Sequence, residues 1–178
     1  MRRIVNLVLA CTLLLGAVAP AAAMPQEPPA GVFLPLIAAP PSRIVIAAAY
    51  IDSARSGEAD EAILLWNVGE RPVPLAGWQI GSGTQRVTVP LSSPWQLAPG
   101  ERVWCAAEAG AFRQRFGDLP GCEWAIDSDP NVPDLEGKIS LTNGGGTLRL
   151  FAPGGAAVDV LVYGDETTPA EGWEGAPA

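Results

Sequence analysis

The chain has no histidine. That excludes a Ser-His-Asp or Cys-His nucleophile, a His-containing zinc site and a histidine phosphodiesterase centre. The chemistry left to it is that of carboxylates. Their densest run is Asp127-Ser-Asp129-Pro-Asn131, followed by Asp134 and Glu136. Asp-x-Asp-x-Asn spacing gathers oxygen donors on one loop and suits Ca²⁺. The EF-hand pattern fails, because its sixth position is Val132 instead of Gly and its twelfth is Lys138 instead of Glu. Two readings stay open here: a Ca²⁺ site made by Asp127, Asp129, Asn131 and Asp134, or a plain Asx-turn loop. The acidic loop holding Asp52, Glu58, Asp60 and Glu61 offers a second place for such a site. Asp159 and Asp165 are further carboxylates, but Asp159 alternates with Val158 and Val160 and reads as solvent-facing on a strand. Asn143-Gly-Gly-Gly146 lacks the Lys-Ser/Thr and the following helix of a phosphate loop. No paired acids suggest catalysis. The expectation is a protein that is not an enzyme and has no cofactor beyond the Ca²⁺ candidate.

The three cysteines are Cys11, Cys105 and Cys122. Arg2 and Arg3 form a basic n-region, Ile4 to Ala19 an apolar h-region, and Ala21-Ala22-Ala23 a small-residue cleavage site. Cleavage after Ala23 is expected. The apolar run falls short of the ~20 residues that a spanning helix needs, and a lipoprotein reading at Cys11 gives too short an h-region. An exported chain that keeps Cys105 and Cys122 is expected to oxidise them to one disulfide. Two separate thiols are the alternative. The net charge is −8, and loss of Arg2 and Arg3 leaves 9 basic against 19 acidic residues, or −10. Such a surface disfavours nucleic acid as the main partner.

Stepping outward from these residues, 24–42 is a proline-rich linker that carries the apolar Gly31-Val-Phe-Leu-Pro-Leu-Ile37. Residues 43–164 alternate short strands with turn chemistry, and 165–178 read as an acidic disordered tail containing Trp173. Strands are expected over 43–50, 62–67, 73–80, 85–90, 101–107, 138–142, 147–151 and 157–163. Glu61 to Ile80 reads as two strands joined by a tight polar turn, with Trp66 on one and Trp78 on the other. The one helix expected is 108–116, with Phe112 and Phe116 four apart and Gly117 as its stop. About eight strands and one short helix predict an all-β sandwich of two sheets. Its expected core is Ile46, Leu64, Trp66, Leu75, Trp78, Val103, Leu141, Leu148, Leu150, Val160 and Val162.

Five motifs then fall in order over about 120 residues. They are Asp60-Glu-Ala-Ile-Leu-Leu-Trp-Asn67, Pro72-Val-Pro-Leu-Ala-Gly-Trp78, Leu97-Ala-Pro-Gly100, Leu141-Thr-Asn-Gly-Gly-Gly-Thr-Leu-Arg-Leu150 and Val158-Asp-Val-Leu-Val-Tyr-Gly164. Together they resemble the lamin tail domain family. Leu64 departs from it, since many members carry an acid there, and the cysteine pair is not a general family feature. The resemblance implies an immunoglobulin-like β-sandwich and supplies no catalytic residue. Bacterial relatives are exported and often sit beside hydrolase domains. The function it implies is a non-catalytic binding, adhesion or tethering module, secreted or in the cell envelope. Its partner would be an envelope polymer or a protein. The mature chain would be a monomer without a membrane span. The alternative is an accessory domain or remnant of a larger secreted hydrolase, nuclease or phospholipase-D-like.

Overall fold

The computed structural model describes residues 43–53 and 56–167. The cleavage site at Ala23, Cys11, the linker 24–42 and Trp173 lie outside the described residues. Eleven strands and one helix follow in order: β1 (Ile44–Tyr50), β2 (Ala62–Asn67), β3 (Val73–Pro74), β4 (Gln79–Ser82), β5 (Gln85–Thr88), β6 (Gln96–Leu97), β7 (Arg102–Ala106), α1 (Ala109–Phe116), β8 (Cys122–Glu123), β9 (Glu136–Lys138), β10 (Gly145–Phe151) and β11 (Ala157–Gly164). They form a four-stranded sheet β1-β2-β7-β8, a five-stranded sheet β11-β10-β4-β5-β9, and a small pair β3-β6. The core lies between the two larger sheets. Ile44, Ile46, Ile63, Leu65 and Trp124 enter it beside Ile80, Val87, Leu148, Leu150 and Tyr163. The fold is an all-β sandwich with one short helix, as the sequence leads one to expect. Eleven strands replace the expected eight because β6 and β8, of two residues each, carry no periodicity of their own, and the expected strand 73–80 divides into β3 and β4.

The stretch 61–80 is not a hairpin. β2 lies in the four-stranded sheet, β3 pairs with β6, and β4 pairs with β5 and β10 in the other sheet. The expected strand 73–80 breaks at Leu75-Ala-Gly-Trp78, where Trp78 N–H donates to Leu75 O at 3.0 Å and Gly77 takes φ 78°. A positive φ there suits glycine. Trp78 is buried as expected, but β2 is turned over relative to expectation. Ile63, Leu65 and Asn67 are buried, whereas Leu64 and Trp66 are half-buried on the opposite face. The run is apolar on both faces, so alternation alone does not choose between them. Outside, the Trp66 ring lies under Arg102 at 4.4 Å, and its indole N–H donates to Gly100 O at 3.2 Å. Val103 is half-buried, and Val160 and Val162 pack with each other apart from the main core. The expected strand 138–142 also moves upstream, to Glu136–Lys138.

Helix α1 covers the outer face of the four-stranded sheet. Phe112 packs with Ala62, Ala106, Tyr50 and Trp104, and the Phe116 ring meets Tyr50 at 5.1 Å. Gly117, at φ 92°, ends the helix with its N–H on Arg113 O. The helix hangs in the loop between Cys105 and Cys122. These cysteines are direct partners in the parallel pair β7–β8, with Cα atoms 4.5 Å apart and a bond between their sulfurs. Both are buried in the main core. A cross-link over a 17-residue separation removes much of the unfolded chain's freedom. In protein produced without residues 1–23, the double change Cys105→Ser and Cys122→Ser is expected to lower the free energy of unfolding in urea by about 3 kcal/mol. An unchanged midpoint would remove the disulfide from the account of stability.

Candidate functional site

The acidic loop after α1 is built around a residue that the sequence reading passed over. Glu123 sits on β8 between Cys122 and Trp124 and is fully buried. Its carboxylate accepts four hydrogen bonds: from Ala109 N–H at 2.7 Å, Ser128 N–H at 3.0 Å, Ser128 O–H at 2.6 Å and Asp129 N–H at 3.2 Å. The first of these caps α1 from outside the helix, where the extended Glu108 supplies no side-chain cap. The others bind the 128–129 turn to the sheet. Charge-assisted bonds of this kind are what make a buried carboxylate tolerable.

Asp127 and Asp134 meet this residue. One carboxylate oxygen from each of Glu123, Asp127 and Asp134 lies within 4.8 Å of the other two. Burial, then Asp127 and Glu123, pushes the Asp134 carboxyl above its usual value. Asp129 and Asn131 belong elsewhere. Asp129 Oδ1 accepts from Asn131 N–H at 3.0 Å and from its side-chain amide at 2.9 Å, an Asx turn that holds the Asp129 carboxyl below its ordinary value. The structure therefore unites half of the expected Ca²⁺ set, Asp127 and Asp134, and adds Glu123. Three carboxylates in this span suit a hard cation such as Ca²⁺. One of them already serves the fold. The sequence carries no clear signal of it: Cys122 and Trp124 in the core set Glu123 on the opposite face of β8, and α1 with the 128–129 turn is what covers that face.

The second acidic loop is more costly. Asp60 and Glu61 are both buried. Asp60 Oδ1 accepts from the Ser53 hydroxyl, whereas Asp60 Oδ2 and Glu61 Oε1 have no hydrogen-bond partner. Desolvation, followed by the charges of Glu58 and Asp60, raises the Glu61 carboxyl to about 7. Asp52 and Glu58 both take positive φ, at 57° and 52°. The Glu58 carboxylate accepts from the Asn143 amide, which joins this loop to the 143–146 turn. Asp159 corrects the sequence reading in another way. It is half-buried, and its Oδ2 accepts Ile46 N–H at 2.6 Å, so it fastens β11 to β1 instead of facing solvent. Asp165 is exposed, with its N–H on Gly144 O at 2.8 Å.

Away from these acids, an open cleft of about 580 Å³ runs along the five-stranded sheet at the β4–β5 hairpin and the 142–146 turn. Hydroxyl, amide and glycine groups line it: Ser82, Thr84, Gln85, Ser140, Thr142 and Thr147 with glycines 83, 145 and 146. Arg149 and Glu166 are its charged residues. Its walls are held by Ser82 O–H donating to Ser140 O at 2.8 Å, Thr142 O–H to Gly145 O at 2.7 Å, and Thr142 N–H to the Tyr163 hydroxyl at 3.1 Å. Among the described residues no helix is long and apolar enough to cross a membrane.

No protein-family model matches the chain, and no curated protein matches it. Among solved structures, it is similar to a DUF4876 family protein from Bacteroides thetaiotaomicron, with 14% identity and a TM-score of 0.47. The match covers 62% of this chain and 42% of that one, so the chain spans less than half the length of this neighbour.

The buried acids predict a pH dependence. In the unfolded chain Glu61 titrates near 4.5, whereas in the fold it keeps its proton to about 7. The native state therefore binds the extra proton between those values, and stability falls as pH rises through that window. Below it the penalty is absent, and above it the penalty is complete. Glu61→Gln is expected to remove this slope and to stabilise the protein at pH 8 by on the order of 2 kcal/mol, allowing for solvent screening. Parallel slopes for wild type and variant, read from urea unfolding at pH 4.5 and 8, would contradict it.

Proposed function

We propose that this protein is a non-catalytic binding or tethering module of the lamin tail type, working outside the cytoplasm on a cell-envelope polymer. The observation that carries the reading is the open, hydroxyl-lined cleft on the five-stranded sheet. It offers many neutral hydrogen-bonding groups and one guanidinium, a surface suited to holding a polar chain. Glu166 is the one carboxylate among its lining residues. Two of the buried or half-buried acids serve the fold, Glu123 through four donors and Asp159 through the Ile46 amide. The buried disulfide supports a working place outside the reducing cytosol. The resemblance to lamin tail domains supports the same role by analogy of motifs.

The Glu123–Asp127–Asp134 cluster adds a structural part to the reading. A Ca²⁺ ion there would neutralise Asp134 and stiffen the loop that caps α1. Sedimentation of the purified protein with envelope fractions of its own source tests the proposal. Retention in the pellet is expected, with loss of retention when Thr147 and Ser140 are both replaced by bulky leucine. Ca²⁺ is expected to raise the melting temperature of the wild type and not that of Asp134→Asn. Full recovery in the supernatant would overturn the tethering role, and an unmoved melting temperature would overturn the Ca²⁺ part alone.

A further inference from the structure

Residues directly opposite one another on neighbouring strands share a face of the sheet. In the five-stranded sheet the pairings Val160–Arg149, Arg149–Gly81, Gly81–Arg86 and Arg86–Lys138 line up as one rung across β11, β10, β4, β5 and β9. The rung lies on the face away from the main core, because the alternate positions Leu148, Leu150, Ile80 and Val87 are buried in that core; on the rung itself Val160 and Gly81 are buried, Arg149 is half-buried, and Arg86 and Lys138 are exposed. Three of the eight basic residues among those described therefore stand in one row. In a chain of net charge −8 such a row is not the average surface.

Two details distinguish the row from a solvated basic face. Gly81 lies between the arginines, and a Cβ there would come within 2.2 Å of Arg86 Nη1 and 3.0 Å of Phe151 Cε2. The missing side chain lets Arg86 cross β4 and rest on the Phe151 ring, its guanidinium carbon 3.8 Å from the centroid. Arg149 is held differently. It is half-buried, whereas Arg43, Arg71, Arg86, Arg102, Arg113, Arg115 and Lys138 are exposed. Among the described residues its guanidinium has no hydrogen bond, ion pair or ring contact. It lines the hydroxyl cleft with five donors and no acceptor. Facing an open cleft, its fork can take a carboxylate in a bidentate pair.

We infer that this face binds a linear polysaccharide bearing carboxylate groups, lying across the strands with its acids on Arg149 and Arg86 and its hydroxyls in the cleft. Arg149 and Arg86 are rooted two strands apart, and Arg86 reaches back across β4 to Phe151 beside Arg149 on β10, so the two guanidinium groups serve neighbouring acidic residues of one chain. Thr84, Gln85, Ser140 and Thr147 supply the donors and acceptors that a polyhydroxyl chain would use. Nucleic acid and polyphosphate fit less well. Glu166 lines the cleft, and Glu136 shares the neighbouring rung with Thr88 and Gln79. With a net charge of −8, they repel a densely charged chain. An acidic peptide fits less well too, since no aliphatic or aromatic side chain lines the cleft to receive its apolar groups.

The inference rests on the binding-module reading and narrows its ligand. Calorimetric titration of the full chain, as processed on secretion by an expression host, tests it with five probes: oligogalacturonate, oligomannuronate, a neutral cello-oligosaccharide of the same length, poly-glutamate and single-stranded DNA. At least one uronate is expected to bind about tenfold or more tighter than the neutral sugar, the polypeptide and the DNA. Arg149→Gln and Arg86→Gln are each expected to weaken that binding about tenfold or more. Arg149→Lys keeps the charge but loses the fork, and is expected to recover part of it. Arg71→Gln, an exposed turn residue, is expected to change nothing. Thermal unfolding of each variant separates lost binding from lost fold. Failure of both uronates, equal binding of the neutral sugar, tighter binding of poly-glutamate or DNA, or indifference to folded Arg149→Gln and Arg86→Gln would overturn the inference. Continued sedimentation with envelopes in those cases would leave the module reading standing with another ligand. Loss of sedimentation as well would remove both.

Discussion

Asn67 is the residue on which the arrangement of both sheets depends. It closes β2 and is fully buried. Its side-chain amide donates to Arg71 O at 2.8 Å and Leu97 O at 2.9 Å, and its Oδ1 accepts Gly69 N–H at 2.9 Å. Its main chain exchanges bonds with the 100–101 turn, N–H to Glu101 O at 3.0 Å and O from Gly100 N–H at 2.9 Å. One side chain thus satisfies backbone groups from the turn after β2 and from β6, at the corner where the chain leaves the four-stranded sheet. A polar residue at the end of an apolar strand is unfavourable until all its groups are paired, and here they fix one geometry. From that corner the chain passes through the β3–β6 pair and delivers β4 to the middle of the other sheet.

The same logic of paired and unpaired polar groups divides the molecule. Acids that reach donors hold the fold together: Glu123 binds the helix and loop, and Asp159 ties β11 to β1. Asp60 and Glu61 are only partly served, so their loop carries the cost, seen in the raised Glu61 carboxyl. The basic groups lie on surfaces. Arg102 and Arg86 rest on Trp66 and Phe151, and Arg149 enters the cleft without a partner. The chain as a whole is acidic, while the local row of basic residues gives one face the opposite sign of charge.

Much of this was legible in the sequence, for identifiable reasons. Strand β2 was placed to the residue because turn chemistry bounds it on both sides. The helix was readable from Phe112, Phe116 and Gly117, and the disulfide from two cysteines in a chain whose first residues read as an export signal. The facing of β2 was not readable, because Ile63, Leu64, Leu65 and Trp66 are apolar on both sides and the choice belongs to Asn67 and its distant partners. The role of Glu123 was hidden because its donors come from α1 and from the 128–129 turn. Asp159 was misread because alternation gives a face but not which face is covered. The basic row could not be read at all. It exists only through the register that sets the β4–β5 hairpin beside β9 and β10, far along the chain, with Gly81 at its centre to make room.

The corner can be tested directly by measuring the urea unfolding of Asn67→Ala against wild type. The account predicts a loss of about 3 kcal/mol, because Arg71 O and Leu97 O would lose their donor and Leu97 O is enclosed by the fold. A change within about 0.5 kcal/mol, as for an ordinary surface substitution, would contradict it.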